Sequence, residues 1–148
     1  MTHIINIQNR RASFEYAFID RYTAGIQLKG SEIKSIRGGK ATINDAHCLI
    51  HNRELFVKGM HIAEYKNAGQ YGHLPTADRK LLLTKNELRK LGDALKNKGL
   101  TIIPLRLFIN ERGFAKLEIA LAKGKKIHDK RETIKKRDSD REIRRNFR

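Results

Sequence analysis

Hydrophobic residues over the first 122 positions recur mostly at every second place. Phe14-Glu15-Tyr16-Ala17-Phe18-Ile19 and Tyr22-Thr23-Ala24-Gly25-Ile26-Gln27-Leu28 alternate as half-buried strands do. Around 31–37 the spacing changes: Ile33 and Ile36 stand three apart and Gly38-Gly39 follows, which predicts a short helix. Strands are predicted near 46–51 and 54–60, joined at His51-Asn52-Arg53. A long polar loop with Gly69, Gly72 and Pro75 is predicted over 66–79. Thr84-Lys85-Asn86-Glu87 has the form of a capping box, opening a helix with Leu88, Leu91 and Leu95 on its core face and Gly99 at its close. Residues 100–109 and 114–123 then form a hairpin around Asn110-Glu111-Arg112-Gly113. On its second arm Leu117, Ile119 and Leu121 face one way, Lys116 and Glu118 the other.

Six or so short strands, with too few helices for a βαβ pattern, predict a mainly β protein: a small OB-like antiparallel barrel with flanking short helices. Folds of that kind recurrently bind RNA or single-stranded DNA. The pattern fails near the C-terminus. Residues 123–148 hold only Ile127, Ile134, Ile143 and Phe147 as large apolar groups, with no continuous stripe joining them. Such a segment buries too little apolar surface to offset its ordering entropy. The expected organisation is a barrel over 1–123 and a basic C-terminal tail over 124–148, disordered in isolation and helical once its charges meet a partner.

Charge sharpens this picture. The 148 residues carry 32 Lys+Arg against 16 Asp+Glu, a net +16. The isoelectric point of 10.3 lies above the value of about 9 that marks nucleic-acid-binding domains. Residues 123–148 alone hold 12 basic against 5 acidic side chains. An excess of this size repels itself unless a polyanion neutralises it. RNA, DNA or an anionic membrane surface fits, and an ordinary small-molecule enzyme does not. No apolar run approaches the ~18 residues of a membrane span, and the N-terminus lacks the basic and long apolar stretches of a signal peptide. The lone Cys48 allows no intrachain disulfide, and a cytoplasmic location is expected.

Other chemistry is thin. Arg37-Gly38-Gly39-Lys40-Ala41-Thr42 lacks the first Gly and the Ser/Thr of a phosphate loop, since Lys34 and Ala41 stand there. On a strand, His47 and His51 share a face that Cys48 does not, so no metal site is expected and Cys48 reads as a core residue. Glu32, Asp45, Glu54, Glu64 and Asp78 are scattered singly, and no catalytic residue or cofactor is predicted. The basic positions Arg10, Arg11, Lys29, Lys34, Arg37, Lys40, Lys116 and Lys123 could supply phosphate affinity, and Phe14, Tyr16 and Tyr22 could stack on unpaired bases.

Four stretches carry a closer resemblance. They are Asn9-Arg10-Arg11-Ala12, the run from Ala24 to Lys40 (AGIQLKGSEIKSIRGGK), Arg79-Lys80-Leu81-Leu82-Leu83, and Gly124-Lys125-Lys126-Ile127-His128-Asp129-Lys130-Arg131. In order and spacing they closely resemble the small protein B family, the bacterial tmRNA-binding proteins of trans-translation, from about residue 9 to the C-terminus. The resemblance implies an OB-like barrel with flanking helices and a non-enzymatic, monomeric RNA-binding protein. Its partners would be the tRNA-like domain of tmRNA, elongation factor Tu through alanyl-tmRNA, and the decoding centre and empty mRNA channel of a stalled ribosome, with no membrane partner.

On the matching positions, the tmRNA surface would include the Asn9 amide and the cations Arg11, Lys34, Arg37 and Lys116, with Gly25 allowing close backbone approach. Glu32, inside the motif, would orient a neighbouring Arg or Lys or bond a base or ribose hydroxyl. The ribosome-binding tail would comprise Lys125, Lys126, His128, stacking on a decoding-centre base, Asp129, Lys130 and Arg131, followed by Arg137, Arg141 and Arg145. This chain departs from the family pattern at three places: Thr23, also in the expected RNA surface, where an acidic residue is common; Phe14, where His is frequent; and Glu64, where Pro is frequent. A generic OB-fold RNA chaperone or ribosomal protein, and an RNA-processing enzyme, are the competing readings of the residues themselves.

Overall fold

The computed structural model describes residues 5–65 and 72–125. Within them nine strands and three helices follow in order: β1 (Asn6–Gln8), α1 (Ala12–Glu15), β2 (Tyr16–Ile26), α2 (Gly30–Arg37), β3 (Ala41–Thr42), β4 (His47–His51), β5 (Glu54–Lys58), β6 (His61–Ile62), β7 (Arg79–Leu82), α3 (Lys85–Ala94), β8 (Leu100–Ile109) and β9 (Ala115–Gly124). The main sheet runs β1-β8-β4-β5-β7-β2-β9, entirely antiparallel, and a further β8–β9 pairing closes it into a barrel. The ladder between β4 and β8 has one registered pair, Cys48 with Ile102, so strand pairing there is partial. A two-stranded ribbon, β3 with β6, lies beside it. The expected mainly β barrel with short flanking helices is what the chain forms.

Two β-bulges make the barrel possible. In β2 the register slips between Phe18 and Asp20, and in β8 between Pro104 and Arg106. A one-residue slip sends every later side chain to the other face. Tyr16 and Phe18 therefore pack with Ala12, Ile103, Ala120 and Ala122 in a small outer cluster covered by α1, whereas Tyr22 and Ala24 of the same strand face the main core. β8 does the same: Ile103 and Leu105 join the outer cluster, Leu107 the main core. The two strands expected at 14–19 and 22–28 are thus one bent strand. It starts at Tyr16, because Phe14 and Glu15 belong to α1.

The main core fills the barrel with Ile43, Leu55, Val57, Met60, Ile102, Leu117 and Ile119, and receives Ile36 from α2 and Leu91 from α3. Cys48 lies in it as expected. α3 opens on the expected capping box: Glu87 N donates to Thr84 Oγ1 at 3.2 Å, and Thr84 N donates to the Glu87 carboxylate at 3.2 Å. It stops at Ala94, before the predicted Gly99, which instead sits in the turn into β8 with its N–H on Asn97 Oδ1.

The strands at Asn6–Gln8, Ala41–Thr42, His61–Ile62 and Arg79–Leu82 lie outside the sequence-based expectation. Three of them are two or three residues long, too short for alternation to register. β7 carries Arg79 inward, where an apolar residue would have revealed the period. Its guanidinium bonds the buried Glu32 and donates to the carbonyls of Met60, Leu74 and Pro75. His73 fastens the same crossing segment, its Nε2–H donating to Ile62 O at 3.0 Å while Nδ1 accepts from the Ser31 hydroxyl at 2.8 Å. The body also extends past the predicted boundary at 123. Gly124 pairs with Tyr16, and Lys125 donates its N–H to Glu15 O and its Nζ to Ser13 O.

Candidate nucleic-acid interface

The outer face of β2, β9 and β8 is a grid set by the register. Thr23 pairs with Glu118 and Glu118 with Arg106, while one step along Gly25 pairs with Lys116 and Lys116 with Phe108. Alternation puts all six on the face opposite the core residues Ala24, Leu117 and Leu107. Glu118 accepts from Arg106 Nε at 2.9 Å and lies 3.5 Å from Arg21, so two cations flank one carboxylate and the cluster keeps a positive excess. The Arg106 guanidinium covers the Phe108 ring at 4.2 Å from its centroid.

Where β2 ends and β9 begins, this grid opens into a groove of about 380 Å³. Gly25, Ile26 and Leu82 form its floor, α2 contributes Ile33 and Arg37, and the β8–β9 turn contributes Gly113, Phe114 and Lys116. Two glycines shape it. A Cβ on Gly25 would lie 3.7 Å from Lys116 Nζ, and one on Gly113 would lie 3.7 Å from Arg37 Nη2. Each cationic head thus rests beside bare backbone. Gly113 also has φ +84, which the hairpin turn requires and L-residues rarely adopt. Lys29, Arg37 and Lys116 make no ion pair among the described residues. Phe114 at the lip is 63% exposed and Leu82 46%. Unpaired cations beside glycine backbone and an exposed ring suit a phosphodiester chain carrying an unstacked base.

The expected RNA residues divide among several places. Gly25, Arg37 and Lys116 meet in the groove, and Thr23 is exposed two residues along the same face. Asn9 and Arg11 line a separate hollow of about 400 Å³ with Tyr16, Asp45 and His47. There the Asn9 amide donates to Pro104 O at 2.9 Å, and Arg11 lies 3.5 Å from Asp45. Lys34 stands on the exposed side of α2, its Nζ 5.2 Å from the centre of the Tyr65 ring. Glu32 is 4% exposed and cannot touch RNA. Of the two roles expected for it, it has the first: it holds Arg79, and it accepts the Lys29 N–H at the start of α2. Tyr22, expected as a stacking ring, packs against the core.

Lys125 is fastened to α1 and so belongs to the body. Lys126, His128, Asp129, Lys130, Arg131, Arg137, Arg141 and Arg145 lie outside the described residues. Among the described residues no group of three or more His, Cys, Asp or Glu could hold a metal ion, and no helix is long and apolar enough to cross a membrane. Phe114, Phe108 and Arg106 did not figure among the sequence-based candidates. Phe114 was within reach, because outward Lys116 and Glu118 imply an outward residue 114. The other two follow only from the bulge after Pro104.

Comparison with known proteins identifies the family. The family model described as SmpB protein matches residues 6–148. The chain is 59% identical over 143 residues to the SsrA-binding protein of Christiangramia forsetii, covering 97% of this chain and 91% of that one. It is 60% identical to the SsrA-binding protein of Phocaeicola vulgatus, covering 97% and 95%. Among solved structures it is similar to a chain of "tmRNA-SmpB: a journey to the center of the bacterial ribosome", with a TM-score of 0.71 and 40% identity over 88% of this chain and 94% of that one. With a family match over nearly its whole length and relatives at this identity, the chain belongs to the SmpB family.

Proposed function

We propose that the chain binds tmRNA and serves ribosome rescue by trans-translation, without catalysing a reaction itself. The observation that carries this reading is the seam groove. Arg37 and Lys116 stand unpaired beside Gly25 and Gly113, and a chain in a tmRNA–ribosome structure shares the fold. The body grips the tRNA-like domain through phosphates and so contributes affinity with little base readout. With elongation factor Tu on the alanyl-tmRNA, the complex enters the vacant A site of a stalled ribosome. The basic residues beyond Lys125 then occupy the empty message channel, the nascent peptide is tagged for degradation, and the ribosome is released. The site of action is the cytoplasm, where the ribosomes are.

Filter binding of the full chain to tmRNA and to bulk tRNA at fixed salt tests the reading. Tighter binding to tmRNA is expected. Equal affinity would leave a generic RNA chaperone in its place.

A further inference from the structure

α2 is tied to the barrel mainly by polar side chains. Its buried residues are Ser31, Glu32, Ser35 and Ile36, and of these Ile36 alone is apolar. Polar groups thus stand where a core-facing helix ordinarily carries its apolar stripe. Each has a directional partner in the chain between 60 and 79. Glu32 takes Arg79. Ser35 Oγ donates to Ala63 O at 2.7 Å. Ser31 Oγ donates to His73 Nδ1 at 2.8 Å, and His73 Nε2–H donates to Ile62 O at 3.0 Å. A carbonyl only accepts, so Nε2 carries the ring proton and Nδ1 takes the hydroxyl.

These bonds close a circuit. From Ser31 it runs through His73 to Ile62, along the chain to Ala63, and back through Ser35 to the helix one turn from its start. Two backbone bonds brace it: Ala63 N–H donates to Lys40 O just past α2, and Ile62 N–H donates to Pro75 O, both at 2.9 Å. Ser31 and Ser35 lie on one ridge of the helix, so the two grips fix α2 both along its axis and about it. Apolar contact through Ile36 is non-directional and leaves the rotation less sharply set.

What α2 carries gives the circuit its consequence. Ile33 and Arg37 line the seam groove from the helix, and Lys29 lines it from the helix start. A rotation of about 20° would move a side-chain tip about 5–6 Å from the axis by about 2 Å, enough to lose a hydrogen bond to phosphate. An apolar pair of the same shape would hold the helix about as firmly as a buried hydrogen bond does. Stability alone therefore does not account for the circuit, whereas a fixed pose does.

We infer that Ser31, Ser35 and His73 are positioning residues for RNA binding. They are buried away from the RNA, and they set the pose of α2 that brings Arg37 to the bare backbone of Gly113 and Lys29 to the edge of the groove. The inference rests on the proposed seam reading and is separable from it by experiment.

The test is a double-mutant cycle on the full chain, read as tmRNA affinity by filter binding at fixed salt. Ser31→Ala with Ser35→Ala removes two hydroxyls and no charge. In the otherwise unchanged chain this pair should weaken tmRNA binding at least about five-fold. In an Arg37→Ala background it should cost at most about two-fold, because the side chain it positions is gone. A loss of equal size in both backgrounds is what general weakening of the fold would give, and it overturns the inference. Unchanged affinity in the serine variant overturns it as well. Should that variant not fold, Ser31→Ala with His73→Leu, which replaces both ends of one bond by apolar groups, carries the same cycle with the same outcomes. If Arg37→Ala alone leaves tmRNA affinity intact, the seam reading fails and the inference with it. If Arg37→Ala weakens binding and the cycle is additive, the inference fails alone.

Discussion

Arg79 and Glu32 form a buried ion pair that ties β7 to the first turn of α2, at side-chain exposures of 3% and 6%. Neither side chain leaves a buried nitrogen or oxygen without a hydrogen-bond partner. The other Glu32 oxygen takes the Lys29 N–H, and Arg79 Nη1 and Nη2 donate to the carbonyls of Met60, Leu74 and Pro75. The pair therefore fixes α2, and with it Arg37, relative to the barrel wall that carries Gly25.

Removing one partner strands a buried charge, which typically costs about 3–5 kcal/mol. Glu32→Ala and Arg79→Ala should each destabilise by that order in urea denaturation, and the double variant by less than the sum of the two. Strict additivity would show that the pair is not coupled.

Cys48 gives a pH dependence. Burial pushes its thiol above the usual value of 9.0, and Tyr22 is raised above 10.0 by burial and then by the neighbouring Asp20 and Glu87 charges. In both cases the fold holds the neutral form. The stability is fully present below the unfolded-state value and is lost as pH rises above about 9, where the unfolded chain ionises first, with a slope of at most about 1.4 kcal/mol per pH unit for each group. Cys48→Ala should flatten the first part of that fall, measured by urea midpoints between pH 8 and 10.5. An unchanged profile would contradict the assignment.

Lys125 bonds α1 at Glu15 and Ser13, so contacts with the barrel reach at least that far. Truncation after Lys125 should leave tmRNA affinity within a few-fold of the full chain and abolish tagging on stalled ribosomes. A collapse of tmRNA affinity would place the tail in the primary RNA site.

Much of this was legible in the residue pattern. The capping box at Thr84, the hairpin after Leu100 and the inward Leu117, Ile119 and Leu121 all follow from local periodicity and local hydrogen bonding. What escaped depends on distant partners. The bulges after Phe18 and Pro104 reverse the alternation, which hid the unity of β2 and the outward placing of Arg106 and Phe108. Arg79 reads as a surface cation and is buried only because Glu32, 47 positions away, meets it. The family motif drew Glu32 toward the RNA surface, although its side chain supports that surface from beneath. Arg37, Lys116 and Gly25 were identified individually; their meeting in one groove needed the β2–β9 register and the turn at Gly113.

The salt dependence of tmRNA affinity in Arg37→Ala/Lys116→Ala tests the central claim most directly. If both cations bind phosphate at the seam, the log–log slope should become shallower by about two phosphates' share and affinity should drop by about 2–5 kcal/mol, with the melting temperature unchanged. An unaltered slope and affinity would mean that tmRNA is held elsewhere on the chain.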